Sequence, residues 1–277
     1  MPTNGGQNRL RVPEGVPGLL RDLIHERTGI YFEDGRTDVL LEKLEPCAQK
    51  FGCQSFLEYY YVLKDNKAGE WDQAWESLSV QETYFWRENA QINAFVKVVV
   101  PAWFEKHAIP FRVWSAACAT GEEPYSLAIA LVEAGLGSNP IEIVASDASP
   151  NALEKARAAI YREKSFRTLP LALREKYFTP VSGGWKLCSE ITNRVEFRRV
   201  NLFEFAEIAP LARSHVVFCR NVFIYFSPHA VRQTVAMLAL RMPPGGHLFV
   251  GAAESLLRMT TDFELREIAG ALAYVRI

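Results

Sequence analysis

What the sequence lacks removes several classes of function. No apolar run approaches the roughly 18 residues of a spanning helix, and Met1-Pro-Thr-Asn-Gly-Gly-Gln-Asn8 has no apolar core of the signal-peptide kind. A cytoplasmic location without membrane insertion is therefore expected. The formal net charge is −1 at pH 7 and no stretch is strongly basic, so the electrostatic footprint of a nucleic-acid partner is missing. Cysteine is sparse and unpaired in pattern: Cys47, Cys53, Cys118, Cys188 and Cys219 are odd in number and contain no Cys-x-x-Cys. Such a set suits reduced thiols better than a disulfide frame or a zinc site. The histidines at 25, 107, 215, 229 and 247 also lack ligand spacing, so no metal is expected. No internal repeat appears, and a monomer is expected.

What is present suffices for a large core. The 277 residues are 49% hydrophobic and 23% charged, enough for two domains. Residues 1–15 are polar and Gly/Pro-containing, so the first 17 read as a loosely ordered tail. Helical stripes then follow within 18–80: Leu19, Leu20, Leu23 and Ile24; Val39, Leu40, Leu44 and Cys47; Phe56, Leu57, Tyr60 and Tyr61; Trp71, Ala74, Trp75 and Leu78. Pro46 is expected to kink or end the second helix. Residues 81–110 read as a linker and a connecting helix bent at Pro101. In it, the aromatics of Gln81-Glu-Thr-Tyr-Phe-Trp-Arg87 suit a plug in a domain interface.

The organising stretch is Phe111-Arg-Val-Trp-Ser-Ala-Ala-Cys-Ala-Thr-Gly-Glu-Glu-Pro-Tyr-Ser126. An alternating strand, a Thr-Gly turn and a helix start with Pro124 in its first turn succeed one another. In an open parallel sheet this junction lies at a strand's carboxyl end, where α/β proteins bind nucleotide-like ligands. Glu122 and Glu123 stand where a P-loop has Lys-Ser/Thr, so a neutral or cationic ligand is expected. Ile141 to Asp147 reads as a second buried strand ending in an acid. Asp147 is spaced to accept hydrogen bonds from the ribose hydroxyls of an adenosine, or else to cap the next helix. Cys118 and Cys219 sit at strand ends beside the same cleft and read as buried structural thiols in preference to nucleophiles.

A small antiparallel excursion is expected over 179–197, from Val181-Ser-Gly-Gly-Trp-Lys-Leu187 and Arg194-Val-Glu-Phe-Arg198, turning at Gly183-Gly184. Strands at 216–221 and 247–252 flank a helix from Pro228, and 263–268 with 271–277 suit an antiparallel edge.

Four ordered stretches carry a family resemblance: Arg112 to Ser126; Ala145-Ser-Asp147 with Ala152 to Tyr161; Asn201-Leu202 with Phe218-Cys-Arg-Asn-Val-Phe-Ile-Tyr-Phe226; and Pro244-Gly-Gly-His-Leu-Phe-Val-Gly-Ala-Ala-Glu-Ser255. Together they resemble the CheR-type chemotaxis receptor methyltransferases, from about Leu19 onward. The resemblance implies an α/β fold: a small all-helical domain, then a Rossmann-like seven-stranded methyltransferase domain over 111–277 with a small inserted β-subdomain. It implies a protein-glutamate O-methyltransferase that uses S-adenosylmethionine (SAM), leaves S-adenosylhomocysteine (SAH), and acts on the cytoplasmic domain of methyl-accepting receptors at membrane receptor arrays. Gln81, Thr83, Arg87, Glu122, Asp147, Asn201, Leu202, Asn221 and Val222 would contact the cofactor. Gln81 stands where the family usually has Asn, and is one methylene longer.

Arg87 would pair with the cofactor's carboxylate, with Glu122 near its amino group. A glutamate acceptor, with an ordinary pKa of about 4.3, is already ionised at neutral pH, so catalysis rests on placement more than on a base. Arg87 and Tyr225 are the candidate catalytic residues, Tyr225 orienting the acceptor or else filling the core. Residues 18–78 hold more acidic than basic side chains, unlike relatives with a basic receptor-binding helix. The short excursion argues for independence from a receptor's C-terminal tether. The rival to an enzyme is a scaffold that binds SAM or SAH without turnover.

Overall fold

The computed structural model describes residues 9–277, leaving out the side chain at position 68. The chain divides into two compact units between Val80 and Gln81.

The first unit is helical: α1 Val16–Thr28, α2 Thr37–Lys50, α3 Phe56–Lys64 and α4 Glu70–Leu78. Residues 1–8 of the expected tail lie outside the described residues. From Leu10 the chain is packed rather than loose: Leu10 is buried, and Arg11 pairs with Ser55. Pro46 lies inside α2 without ending it. The phase of α3 differs from the expected stripe, for Phe56, Tyr59, Val62 and Leu63 turn inward while Tyr61 is exposed. The cause is polar. Tyr59 donates a 2.8 Å hydrogen bond to the buried Glu70 carboxylate, and an unpaired buried carboxylate would be costly.

The first helical stretch of the second unit is α5 Asn89–Ala94, a π-helical segment Phe95–Val99 and α6 Val100–Phe104, with Pro101 in the first turn of α6. The elements that follow are β1 Phe111–Ala116, α7 Glu122–Glu133, β2 Ile141–Asp147, α8 Pro150–Ala158, β3 Ile160–Tyr161, α9 Leu171–Tyr177, β4 Phe178–Val181, β5 Gly184–Leu187, α10 Ser189–Thr192, β6 Val195–Arg199, α11 Phe205–Ile208, β7 Val216–Cys219, α12 Pro228–Arg241, β8 His247–Phe249, β9 Phe263–Ile268 and β10 Ala271–Arg276. Seven of these strands form one sheet in the order β6-β2-β1-β7-β8-β10-β9. The first five are parallel, and β10 is antiparallel to both its neighbours.

The central strands are buried on both faces, and successive side chains alternate between two core layers. Phe111, Val113, Val216 and Phe218 enter one core layer, and Trp114, Ala116, Val217 and Cys219 the other. Strand order reverses between β1 and β7: the chain builds outward through β2 and β6, then returns to place β7 on the other side of β1. In open α/β sheets the ligand crevice lies outside the carboxyl ends of the strands at such a switch point.

The small sheet has the order β3-β5-β4, with a turn at Ser182 and Gly183. It differs from the expected excursion in its strands and in its turn, which stands one residue before the expected Gly183-Gly184. Residues 195–199 are not part of it, because β6 joins the large sheet parallel to β2, and the third small strand is the two-residue β3. Gly184 is required here, since a Cβ would stand 2.3 Å from the Tyr161 carbonyl oxygen.

Phe85 of the aromatic knot plugs the core of this second unit, not a domain interface. It is fully buried, with ring centroids 4.8 Å from Tyr161, 5.0 Å from Phe178 and 5.6 Å from Phe166. Phe85→Ala is expected to cost about 3–5 kcal/mol, read as a fall in the urea midpoint of the second unit's unfolding.

Candidate functional site

The turn after β1 is built from residues in left-handed backbone. Ala117 has φ 53° and Ala119 φ 47°, each costing about 1–2 kcal/mol for a residue with a Cβ. Gly121, at φ 92°, opens α7, and a Cβ there would lie 2.9 Å from that of Ala156, so glycine is needed for both shape and space. This conformation turns the Ala119 N–H onto Asp147 Oδ2 at 2.9 Å, while Asp147 Oδ1 accepts from Ser149 N at 2.9 Å. The α8 cap is Ser149, which accepts from Ala152 N, and Asp147 is not that cap. Gln81 reaches this corner, donating to Ser149 Oγ at 3.2 Å. Asn201 follows β6 beside it, since Val200 N donates to the Asp147 carbonyl.

The other wall comes from β7, β8 and the segment before α5. Arg220 has a side chain only 2% exposed. Its Nη2 donates to the Arg87 carbonyl at 2.8 Å, and its Nε lies 3.1 Å from Glu123 Oε2 and 3.9 Å from Glu88 Oε2. Glu123 also accepts from Ser115 Oγ at 2.6 Å, and Glu88 from Ala252 N at 3.2 Å. Burial raises the Glu123 carboxyl above its ordinary range, and the Arg220 charge opposes that rise. Asn221 follows in left-handed backbone at φ 59°, with Oδ1 buried and without a hydrogen-bond partner. Val222 is half-buried, and Leu202 is buried in the same core layer. Tyr225 is 37% exposed rather than a core residue. Burial raises its phenol above the ordinary value, and the neighbouring Arg87 charge opposes that.

Of the residues expected from sequence, Asp147, Gln81 and Asn201 therefore gather at one corner, and Arg87, Asn221, Val222 and Tyr225 at the other. Thr83 is half-buried in the segment that joins them. Glu122 is set apart: it is 3% exposed and takes hydrogen bonds from Thr120 Oγ1 at 2.6 Å and Ser165 Oγ at 2.9 Å. Burial pushes its carboxyl above the usual range against those bonds. Cys118 and Cys219 are buried, with thiols pushed well up by burial, which suits inert structural cysteines. A cavity of about 610 Å³ lies at the amino ends of the strands, beside Trp103, His215 and His247, and contains none of these residues. Among the described residues no group of His, Cys, Asp and Glu could hold a metal ion, and no helix is long and apolar enough to cross a membrane.

Four carboxylate and guanidinium groups were not singled out for the site: Glu88, Glu123, Arg220 and Glu254. A partial signal existed. Two successive glutamates in a first helical turn point in different directions, so one of them must face inward, and Arg220 sits at the end of an otherwise apolar strand.

Comparison with known proteins yields two family models in tandem. The all-alpha domain of CheR methyltransferase matches residues 18–79, and the SAM binding domain of CheR methyltransferase matches residues 81–271. The chain belongs to the CheR methyltransferase family. Among its relatives is "Chemotaxis protein methyltransferase 2" of Vibrio cholerae serotype O1, 34% identical over 92% of this chain and 91% of that one. "Chemotaxis protein methyltransferase" of Escherichia coli K12 is 32% identical over 93% and 90%. A third relative, "Probable biofilm formation methyltransferase WspC" of Pseudomonas aeruginosa, is 33% identical over 72% of this chain but 47% of its own length. As a CheR methyltransferase, the protein is a SAM-dependent enzyme of the α/β class, and its family and fold agree with the resemblance carried by the four motifs.

The buried Glu122 yields a pH prediction. A carboxyl raised in the fold binds its proton more readily there than in the unfolded chain, so its contribution to stability is lost as pH rises through that interval. Glu122→Gln, which keeps two polar contacts without a buried charge, is expected to raise the melting temperature by a few degrees at pH 7.5. That gain should shrink toward pH 5, as read by scanning calorimetry at both pH values.

Proposed function

We propose that this enzyme methylates glutamate side chains in the cytoplasmic domains of chemoreceptors, giving glutamyl methyl esters in chemosensory adaptation. The observation that carries this reading is the juxtaposition at the switch point of an oriented carboxylate, Asp147, with Arg87, Asn221 and Tyr225, in a chain similar along nearly its whole length to chemotaxis protein methyltransferases.

The side chains present fit SAM. Asn221 Oδ1 is a buried acceptor without a partner, which suits an ammonium group. Arg87 offers a planar donor pair for a carboxylate, and Asp147 offers acceptors for ribose hydroxyls. SAM supplies an electrophilic methyl group on a sulfonium. In this reading Leu202 and Val222 would supply apolar contacts for the cofactor's adenine, and Gln81, Thr83 and Asn201 would supply polar ones. Glu122, set apart and already bonded by Thr120 and Ser165, would act on the ammonium through its charge alone, and the ammonium would in turn favour the ionised carboxylate that burial disfavours.

An acceptor glutamate is ionised at neutral pH, so this chain supplies no strong base. Tyr225, held protonated by its raised pKa, donates its O–H to the acceptor carboxylate and aligns the attacking oxygen. Exclusion of water from that oxygen by the half-buried wall raises its nucleophilicity. The turn of the β4–β5 hairpin is only two residues long, which supports action without a receptor tether; tight calorimetric binding of a receptor tail peptide would overturn that part.

The test is incubation with methyl-labelled SAM and chemoreceptor membranes from the same organism, counting volatile label released by mild base. Base-labile label, reduced at least about tenfold in Asp147→Ala as expected for loss of a hydrogen bond to a charged group, supports the reading. Cofactor binding without transfer to any receptor would overturn it in favour of a non-catalytic scaffold.

A further inference from the structure

Glu254 lies in the loop after β8, and three backbone N–H groups converge on its carboxylate. Oε2 accepts from Asn221 N at 2.8 Å and from Gly251 N at 2.6 Å, and Oε1 accepts from Ile224 N at 3.3 Å. These donors belong to two different loops. Asn221 opens the loop after β7, Ile224 is the middle residue of the 3₁₀ turn Phe223–Tyr225, and Gly251 begins the loop after β8. The loops approach so closely that a Cβ on Gly251 would stand 2.4 Å from Asn221 Nδ2 and 2.9 Å from its backbone nitrogen.

From this geometry we infer that Glu254 is a positioning residue for methyl transfer, holding the Asn221 side of the cofactor site with one oxygen and the Tyr225 turn with the other. The inference rests on the proposed roles of Asn221 and Tyr225. Asn221 needs such a hold because its left-handed backbone is costly without an anchored N–H. Ile224 needs it because a three-residue 3₁₀ turn leaves N–H groups without intrahelical acceptors. A carboxylate is suited to the task, since it is acceptor-only at both oxygens and its bonds to N–H groups are charge-assisted.

The two oxygens can be separated experimentally. In Glu254→Gln the remaining carbonyl oxygen can keep the two stronger bonds, to Asn221 and Gly251, while the amide NH₂ faces the Ile224 N–H. Glu254→Ala removes all three acceptors, and Gly251→Ala drives a methyl group into Asn221 and leaves the carboxylate in place.

The experiment measures SAH affinity by calorimetry together with kcat and KM for labelled transfer, on the full chain. Glu254→Gln is expected to bind SAH within about threefold of wild type but to lose roughly tenfold or more in kcat, as for loss of a bond to a charged acceptor. Gly251→Ala is expected to weaken SAH binding at least about tenfold. Wild-type turnover in Glu254→Gln would overturn the inference, as would an equal loss of SAH affinity and kcat in that variant, the mark of general loosening. Asp147→Ala is measured alongside: if it binds SAH as wild type does, the reading of the crevice itself fails, whatever Glu254 does.

Discussion

A single buried guanidinium holds the crevice together. Arg220 follows β7 at the switch point and ties two segments to it: Arg87-Glu88, through the Arg87 carbonyl and the Glu88 carboxylate, and the first turn of α7, through Glu123. Desolvating such a charge is expensive, and the expense is offset only while its partners stay in place. Removing one acid would leave the arginine partly uncompensated, and removing the arginine would leave two acids facing each other. The segment bearing Arg87 is thereby fixed to the sheet by an interaction that tolerates little displacement.

The same edge of the sheet carries a concentration of backbone strain. Trp86, Glu88, Ala117, Ala119 and Asn221 all adopt left-handed conformations, and none is glycine. Three of the five are anchored by their own N–H groups: Trp86 N donates to Ser126 Oγ, Ala119 N to Asp147 and Asn221 N to Glu254. Strained residues clustered where strand ends open are the mark of a site whose shape matters more than its local stability.

Much of this was legible in the sequence because it is local. β1, its glycine turn and α7 are contiguous, and Asp147 ends a continuous apolar run. Asn221 and Tyr225 follow another. The misread parts depend on distant partners. β6 presents the half-buried alternation Val195, Phe197 of an edge strand, which looks antiparallel until β2 is placed beside it. β3 is two residues long, too short for any period. In α3, Phe56-Leu-Glu-Tyr-Tyr-Tyr-Val-Leu63 is apolar nearly all round, so its facing is decided by Glu70, a residue outside the helix. The ion cluster was hidden for the same reason, since Arg220 and the Arg87 carbonyl are 133 positions apart.

Tyr161 belongs to β3 of the small sheet, and its phenol donates at 2.9 Å to the carbonyl of Thr120, in the turn that precedes α7. Its own carbonyl leaves no room for a side chain at Gly184 of β5. The small sheet is consequently wired to the crevice by a short, stiff linkage, as a lever is to its pin. A force applied along β5 reaches the Thr120 turn through one residue and one hydrogen bond, so a displacement of the appendage loads the turn that opens α7.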